Sequence, residues 1–301
     1  MTVKQALIQA IASLKRHGCP ETHPDREAVF LLSEATGLTP ERIAAEPERD
    51  MSDGERDGLE RLIGRRLRHE PIEMIAGWAS FRGLRLAVTP DTLIPRPSTE
   101  MLVDEVLAGI DRSARNLIVD VGTGTGAIAL SLARELPDAR IVAVDVSRRA
   151  LETAMDNCPE WTFPDRRPNT RNRLSFLEGD LLEPAIPFVK KHDGPVTVVA
   201  NLPYIPEGRW KSLPPEIRDY EPKKALVSGP DGLDHYRRLI RQMAEIKIVN
   251  LAAYLEILPE QQEPLTETVA HRLPELTVTP IKNGHGLTYA LKALGSDPIR
   301  G

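Results

Sequence analysis

Cysteine is scarce in this chain of 301 residues, which has only Cys19 and Cys158. Two cysteines without a pairing motif predict no disulfide framework and no thiol catalysis. The seven histidines form no His-x-x-x-His pair, and the chain has no Gly-x-Ser-x-Gly turn. We therefore expect no metal centre of the helical two-histidine type and no serine hydrolase chemistry.

Long apolar runs are also missing, so the sequence predicts no segment that spans a bilayer. The first 18 residues place Val3, Leu7, Ile11 and Leu14 on one helical face, with lysines between them. This pattern is typical of a packed helix and not of a signal peptide. We expect a cytoplasmic protein with no membrane partner.

Positive charge is not in excess: 39 Lys and Arg stand against 44 Asp and Glu, for a formal net charge of −5. This balance argues against broad, stable nucleic-acid binding, which depends on neutralising phosphates. Two basic clusters are exceptions, one at residues 65–69 and one in the Pro- and Arg-rich connection 158–172 with Arg173. We interpret both as solvated surface, although a basic loop could help to dock an acidic or ribosome-associated partner.

A glycine-rich turn follows the apolar run Leu117 to Val121 and precedes a helical pattern, which predicts a strand, a tight loop and a helix. The loop residues are Gly122, Thr123, Gly124, Thr125 and Gly126. With Ala127, this spacing also satisfies the Gly/Ala variant of the dinucleotide-binding fingerprint. Asp120 favours S-adenosylmethionine, because a carboxylate attracts the ammonium of a methionyl group and repels a pyrophosphate.

Two later strands end in acidic residues. The run Arg140 to Val144 leads to Asp145, which we expect to accept hydrogen bonds from ribose hydroxyls. The run Leu174 to Leu177 leads to Asp180 and Leu181, candidates for the adenine amino group and the adenine face. Each residue alone has an equally good structural explanation, but successive strand ends of a βαβ array meet along one crevice.

The segment Asn201-Leu202-Pro203-Tyr204 follows the apolar run Val196 to Ala200 and is the most informative motif. The Asn201 side-chain oxygen and the carbonyl of Leu202 can accept both N–H groups of a planar NH2 and point its lone pair at an electrophile. Pro203 fixes φ, and Tyr204 offers a ring face. A plain turn is the alternative, but the motif predicts catalytic Asn201, Pro203 and Tyr204 in a methyltransferase acting on an amino group.

With these motifs, the chain resembles the bacterial peptide-chain release factor glutamine N5-methyltransferases, which modify the glutamine of a Gly-Gly-Gln motif. The resemblance also rests on residues 25–32, 92–100, 220–222 and 232–237. It implies cofactor contacts at Gly122 to Gly126, Asp145, Asp180 and Leu181, acceptor contacts at Asn201 to Tyr204, and release factors as partners. Leu202 departs from the family, which usually has Pro there, so we expect a looser loop.

The predicted fold class is α/β: a seven-stranded, Rossmann-like class I methyltransferase domain with a small N-terminal helical bundle. The predicted parts are residues 1–75 for substrate recognition, 76–97 as a hairpin and linker, and 98–301 as the methyltransferase domain. Arg96 and Glu100 are expected either to pair over the cofactor mouth or to cap a helix near Ser98. Other planar NH2 groups remain alternative acceptors, on ribosomal-protein glutamine or adenine, and a noncatalytic adaptor is a third possibility.

Overall fold

The computed structural model describes residues 1–16, 23–158, 173–248 and 250–295. Within those ranges the chain divides into two compact units. The first contains Met1–Gly77 and Pro214–Tyr220, and the second contains Trp78–Leu213 and Glu221–Gly301. The hairpin that follows the helical region thus belongs to the second unit, and a seven-residue excursion from the second unit belongs to the first.

The first unit is helical, as the apolar spacing predicts. Its helices are α1 (Val3–Arg16), α2 (Pro24–Thr36), α3 (Pro40–Ala45), α4 (Asp53–Arg66), α5 (Ile72–Ala76) and, in the excursion, the short α10 (Pro215–Arg218). A capping box at Ser52 and Glu55 fixes the start of α4. Buried side chains from α1 to α5 form one apolar cluster.

A buried arginine corrects one interpretation of the basic cluster at residues 65–69. Arg66 is only 3% exposed, and its guanidinium pairs with Glu27 and with Glu216 of the excursion. The Tyr220 hydroxyl donates to the carbonyl of Arg68 at 2.8 Å. This part of the cluster is therefore an anchor for residues 214–220 and not a solvated helix face, because both carboxylates approach it from other elements.

The second unit opens with the predicted hairpin, β1 (Trp78–Phe81) and β2 (Leu84–Ala87), whose turn residues Arg82 and Gly83 both have positive φ. The remaining strands are β3 (Leu117–Val121), β4 (Arg140–Asp145), β5 (Leu174–Glu178), β6 (Val196–Ala200), β7 (Leu251–Glu256), β8 (Leu276–Lys282) and β9 (Thr288–Gly295). The helices are α6 (Pro97–Gly109), α7 (Ala127–Glu135), α8 (Arg148–Asp156), α9 (Ile186–Lys191), α11 (Asp234–Ile246) and α12 (Gln262–Arg272).

Seven strands form one sheet in the order β5-β4-β3-β6-β7-β9-β8. The pairs from β5 to β7 are parallel, and β9 pairs antiparallel with both β7 and β8. The two terminal strands, β8 and β9, thus form an antiparallel hairpin. All five residues of β3 are buried, which is typical of a parallel strand covered by helices on both faces.

The register brings the predicted site residues to one edge. Val121 pairs with Val144 of β4 and with Ala200 of β6, and Ala200 pairs with Leu255 of β7. The residues that follow these positions therefore lie side by side at the carboxyl ends of the strands. The chain turns to opposite sides from β3, toward β4 and toward β6, so this edge is the switch point where open α/β sheets bind ligands.

Among the described residues, no helix is both long and apolar enough to cross a membrane. The basic connection predicted at 158–172 falls mostly on residues 159–172, which lie outside the described ranges, as does Cys19. Arg173 is described, and it donates to the carbonyls of Leu136 and Ala139. It thus helps to close the end of α7 instead of extending into a docking loop.

Candidate active site

One cavity in the second unit collects most of the predicted site. It is lined by ten of the predicted positions: Gly122, Thr123, Gly124, Thr125, Asp145, Asp180, Leu181, Asn201, Leu202 and Pro203. Three predicted residues do not line it. Asp120 lies beneath the glycine loop, Gly126 caps α7, and Tyr204 packs against the core cluster beside β6.

The glycine loop leaves room for a ligand to approach its backbone. Gly124 has φ +56, a region that favours glycine, and a Cβ built there meets no atom within 4 Å. Gly122 differs, because a Cβ there would contact the Leu202 side chain at 3.0 Å. The open side of Gly124 faces the cavity that this residue lines.

Asp120 is completely buried and holds the loop from below. One carboxylate oxygen accepts from the Thr123 hydroxyl at 2.6 Å and from the Ala129 N–H at 3.1 Å. The other oxygen has no hydrogen-bond partner in the described structure. Burial raises the pKa of Asp120 to about 7, and the hydrogen bonds oppose this rise. The arrangement suits a cationic partner, which would favour the ionised form.

Asp145 stands at the end of β4 and is already engaged by the backbone. Its two oxygens accept from the N–H groups of Gly124 at 2.9 Å and Ser147 at 2.8 Å. Burial raises the pKa of Asp145, while these two hydrogen bonds lower it. Each oxygen keeps a second lone pair, so hydroxyl donors can still be accepted from the cavity side.

The cavity lining also contains three residues that the motifs did not single out as ligands: Lys224, His235 and Arg238. The Asp180 carboxylate forms an ion pair with Arg238. His235 hydrogen-bonds through Nδ1 to the Ser228 hydroxyl at 2.6 Å, and burial lowers its pKa. Asp180 therefore meets any ligand as a paired carboxylate.

Asn201 has the most informative geometry. Its side-chain nitrogen donates to the Thr99 hydroxyl at 2.8 Å, whereas its side-chain oxygen is buried and has no partner in the described structure. A buried acceptor without a donor costs about 1–3 kcal/mol. Asn201 and Pro203 line the same cavity as the glycine loop, so the residue that carries this acceptor belongs to the cavity wall.

Leu202, where this chain departs from the family pattern, is held in the core. Its side chain is 4% exposed and lies in the core cluster. Its N–H donates to the Tyr236 hydroxyl at 3.2 Å, and that hydroxyl donates to the carbonyl of Glu256. The N–H that Leu has and Pro lacks is thus satisfied by α11.

The expected pairing of Arg96 with Glu100 is wrong. Arg96 pairs instead with Glu221, a buried carboxylate that also accepts from the Ile94 N–H at 3.1 Å. Glu100 accepts from the backbone of Arg82 in the hairpin turn at 2.6 Å. The helix start near Ser98 is confirmed, since α6 begins at Pro97. Glu221 lies 125 positions after Arg96, so the sequence alone did not identify it as the partner.

The sequence reasoning also missed Thr99 and Glu256. Glu256 ends β7 and accepts from the hydroxyls of Ser98 and Thr99, each at 2.7 Å, and from Tyr204. A signal was present, because an acidic residue directly after the apolar run Leu251 to Leu255 repeats the pattern of Asp145 after β4. Among the described residues, no group of three or more acidic, His or Cys side chains could hold a metal ion.

The fold and the site define a class I S-adenosylmethionine-dependent methyltransferase: a mixed seven-stranded sheet with a terminal antiparallel hairpin, and a glycine loop after β3. A family model described as "Methyltransferase domain" matches residues 118–220. Solved structures of the hMettl16 catalytic domain in complex with MAT2A 3′UTR hairpins share the fold. One has a TM-score of 0.52 at 18% identity and covers 72% of this chain and 77% of that one. Another has 0.51 at 15% identity and covers 97% and 91%.

More specifically, the chain belongs to the release factor glutamine methyltransferase family. The family model of the PrmC N-terminal domain matches residues 5–77. The release factor glutamine methyltransferase of Moorella thermoacetica is 40% identical over 240 residues, which are 80% of this chain and 80% of that protein. The enzyme of the same name from Bacillus cereus is 31% identical over 282 residues, which are 92% and 94%. S-adenosylmethionine is the cofactor of this class.

Proposed function

We propose that this enzyme methylates the side-chain amide nitrogen N5 of the glutamine in the Gly-Gly-Gln motif of a translation release factor. The observation that carries the proposal is the buried, unpartnered side-chain oxygen of Asn201 on the wall of the cofactor cavity. A primary amide NH2 is a donor that fits such an acceptor. The family relationship supports the same substrate class.

The cavity residues fit S-adenosylmethionine. The open space at Gly124 suits the methionyl end, with Gly122, Thr123, Thr125 and Gly126 shaping the loop. Asp120 does not line the cavity and acts from beneath the loop, where its charge attracts the methionyl ammonium. Asp145 keeps lone pairs for the ribose hydroxyls. In the same lining, Leu181 offers an apolar face and Asp180 an acceptor that Arg238 orients.

Asn201 and the carbonyl of Leu202 hold the acceptor nitrogen in the orientation that attack requires. The amide lone pair is delocalised, so it attacks only when two acceptors direct both N–H groups away from the electrophile. The same oxygens favour the positive charge that develops on nitrogen. S-adenosylmethionine supplies the electrophilic sulfonium methyl. Pro203 limits the loop to one backbone shape, and Tyr204 supports it from the core side.

Three further assignments belong to this proposal. The first unit recognises the protein substrate, because none of its described residues lines the cofactor cavity. The enzyme acts in the cytoplasm, where release factors work. Stable nucleic-acid binding is not part of the function, in keeping with the formal net charge of −5.

The test is a methyl-transfer assay with labelled S-adenosylmethionine and three purified acceptors: release factor, ribosomal protein and RNA. We expect label on the release factor glutamine only. Asn201→Ala lowers kcat by about 10²- to 10³-fold, the usual effect of losing one preorganised polar group. Its cofactor affinity, measured by calorimetry, stays near that of the wild type.

Asp145→Ala serves as the opposite control, because it weakens cofactor binding first. Label on RNA or ribosomal protein with none on the release factor would reject the proposed substrate. Full turnover by Asn201→Ala would reject the role of Asn201.

A further inference from the structure

Glu256 occupies a place in the site that the proposed mechanism has not used. It stands at the end of β7 and is 2% exposed. One carboxylate oxygen accepts from the Ser98 hydroxyl and the other from the Thr99 hydroxyl, each at 2.7 Å. Thr99 is in turn the acceptor for the Asn201 side-chain nitrogen. A continuous hydrogen-bond chain therefore joins Glu256 to the acceptor motif.

The direction of this chain follows from counting protons. An ionised carboxylate only accepts, and a hydroxyl has one proton to donate. Thr99 gives that proton to Glu256, so it can only accept from Asn201. The nearest atom of Asn201 must then be its NH2, which turns its oxygen away from Thr99.

We propose that Glu256 is a positioning residue that, through Thr99, fixes which end of the Asn201 amide faces the methyl acceptor. The proposal rests on the proposed function, since it explains how the acceptor oxygen is presented. The two ends of an asparagine amide have nearly the same shape, so packing alone selects poorly between them. In the reversed orientation Asn201 would present an N–H to the substrate NH2, and two donors repel.

Protonation of Glu256 would remove this control. A carboxylic acid can donate to Thr99, which frees the Thr99 proton for the Asn201 oxygen and reverses the chain. Burial raises the pKa of Glu256, and the three hydroxyl donors and the charge of Arg96 oppose the rise. The other titratable groups that face Glu256 are Tyr204, Tyr236 and Tyr289. We expect kcat at saturating cofactor to fall on the acid side through a step that begins above the ordinary range of a glutamate.

Ser98 and Thr99 provide a matched pair of variants. Both hydroxyls donate to the same carboxylate at the same distance, but only Thr99 contacts Asn201. Thr99→Val should lower kcat about 10- to 100-fold, and Thr99→Ser should restore it to within about threefold of the wild type. The fold-loss of kcat in Ser98→Ala should be at least tenfold smaller than the fold-loss in Thr99→Val. Glu256→Gln should lower kcat at least tenfold, with the KM for cofactor changed less than threefold.

The double variant Glu256→Gln/Thr99→Val completes the cycle. Both changes break the same hydrogen-bond chain. The kcat of the double variant should therefore be at most about threefold lower than the kcat of Thr99→Val. The proposal would be overturned if kcat fell equally in Ser98→Ala and Thr99→Val. It would also be overturned if the fold-losses of kcat in the two single variants multiplied in the double variant.

A readout without turnover separates this proposal from the proposed function. The Asn201 side-chain NH2 signal in a nuclear magnetic resonance spectrum can be assigned by its loss in Asn201→Ala. In the wild type it should exchange slowly with water, and in Thr99→Val it should exchange at least tenfold faster. If the two exchange rates are equal, Glu256 does not fix the orientation of the Asn201 amide through Thr99. If they differ while release factor receives no label, the positioning role stands and the acceptor has been misassigned.

Discussion

Gly124→Ala separates the two effects that a side chain would have in the glycine loop. Gly124 has φ +56, where an L-residue costs about 1–2 kcal/mol relative to glycine. The added Cβ would meet no protein atom within 4 Å, so packing adds no further penalty. It would occupy space at the wall of the cofactor cavity. We expect the free energy of unfolding without cofactor to fall by about 1–2 kcal/mol, and cofactor affinity to fall at least tenfold.

Gly286→Ala is the matched control. Gly286 lies in the same unit, has φ +79, and its Cβ would also meet nothing within 4 Å, but it is in the turn between β8 and β9. Urea unfolding should show a similar loss of stability in both variants, and calorimetry should show weakened cofactor binding only in Gly124→Ala. Wild-type affinity in Gly124→Ala would refute the placement of the cofactor against this loop.

Two other predictions concern buried charge. Arg66→Met leaves two acidic partners without their cation and should destabilise the first unit by about 2–3 kcal/mol, somewhat less than a fully buried pair because both partners keep some exposure. Hydrogen exchange of α2 measures this loss. The control is the neighbouring, partly exposed Arg65, whose change to Met should cost under about 1 kcal/mol. Equal exchange rates in the two variants would contradict the role of Arg66. The pKa of Asp120 is about 7 when folded and ordinarily 3.8, so the folded state retains a proton between these values and stability should fall as pH rises through them. Asp120→Asn should remove this part of the pH dependence in urea unfolding, and an unchanged slope would contradict the raised pKa.

Local patterns in the sequence predicted the element order of the second unit well. The strand Val196–Ala200 occurs with the bounds of the apolar run, and the hairpin strands Trp78–Phe81 and Leu84–Ala87 lie within the segment 76–97 predicted for them. Such segments depend on apolar spacing and turn chemistry, which neighbouring residues determine. The helix Ile72–Ala76 was missed, because five residues are too few to show a period.

Long-range polar partners could not be predicted. Arg96 and Glu100, four residues apart, were expected either to pair or to cap a helix near Ser98, but Arg96 pairs with Glu221. Arg66 was interpreted as solvated surface because it lies in a basic cluster, yet its side chain is buried and pairs with acidic residues of two other elements. The charge pattern along one helix does not show which distant carboxylate lies next to that helix in the folded protein.

The sequence by itself determined that parallel strands end in a glycine loop, an aspartate and an Asn-Leu-Pro-Tyr turn, because each motif is continuous and acts through its own backbone. Only the tertiary structure decided that Thr99 and Glu256, from the first turn of α6 and the end of β7, orient Asn201. The physical reason is that a hydrogen-bond chain is defined by distance and direction in space, and its three members are separated by 102 and 157 positions along the chain.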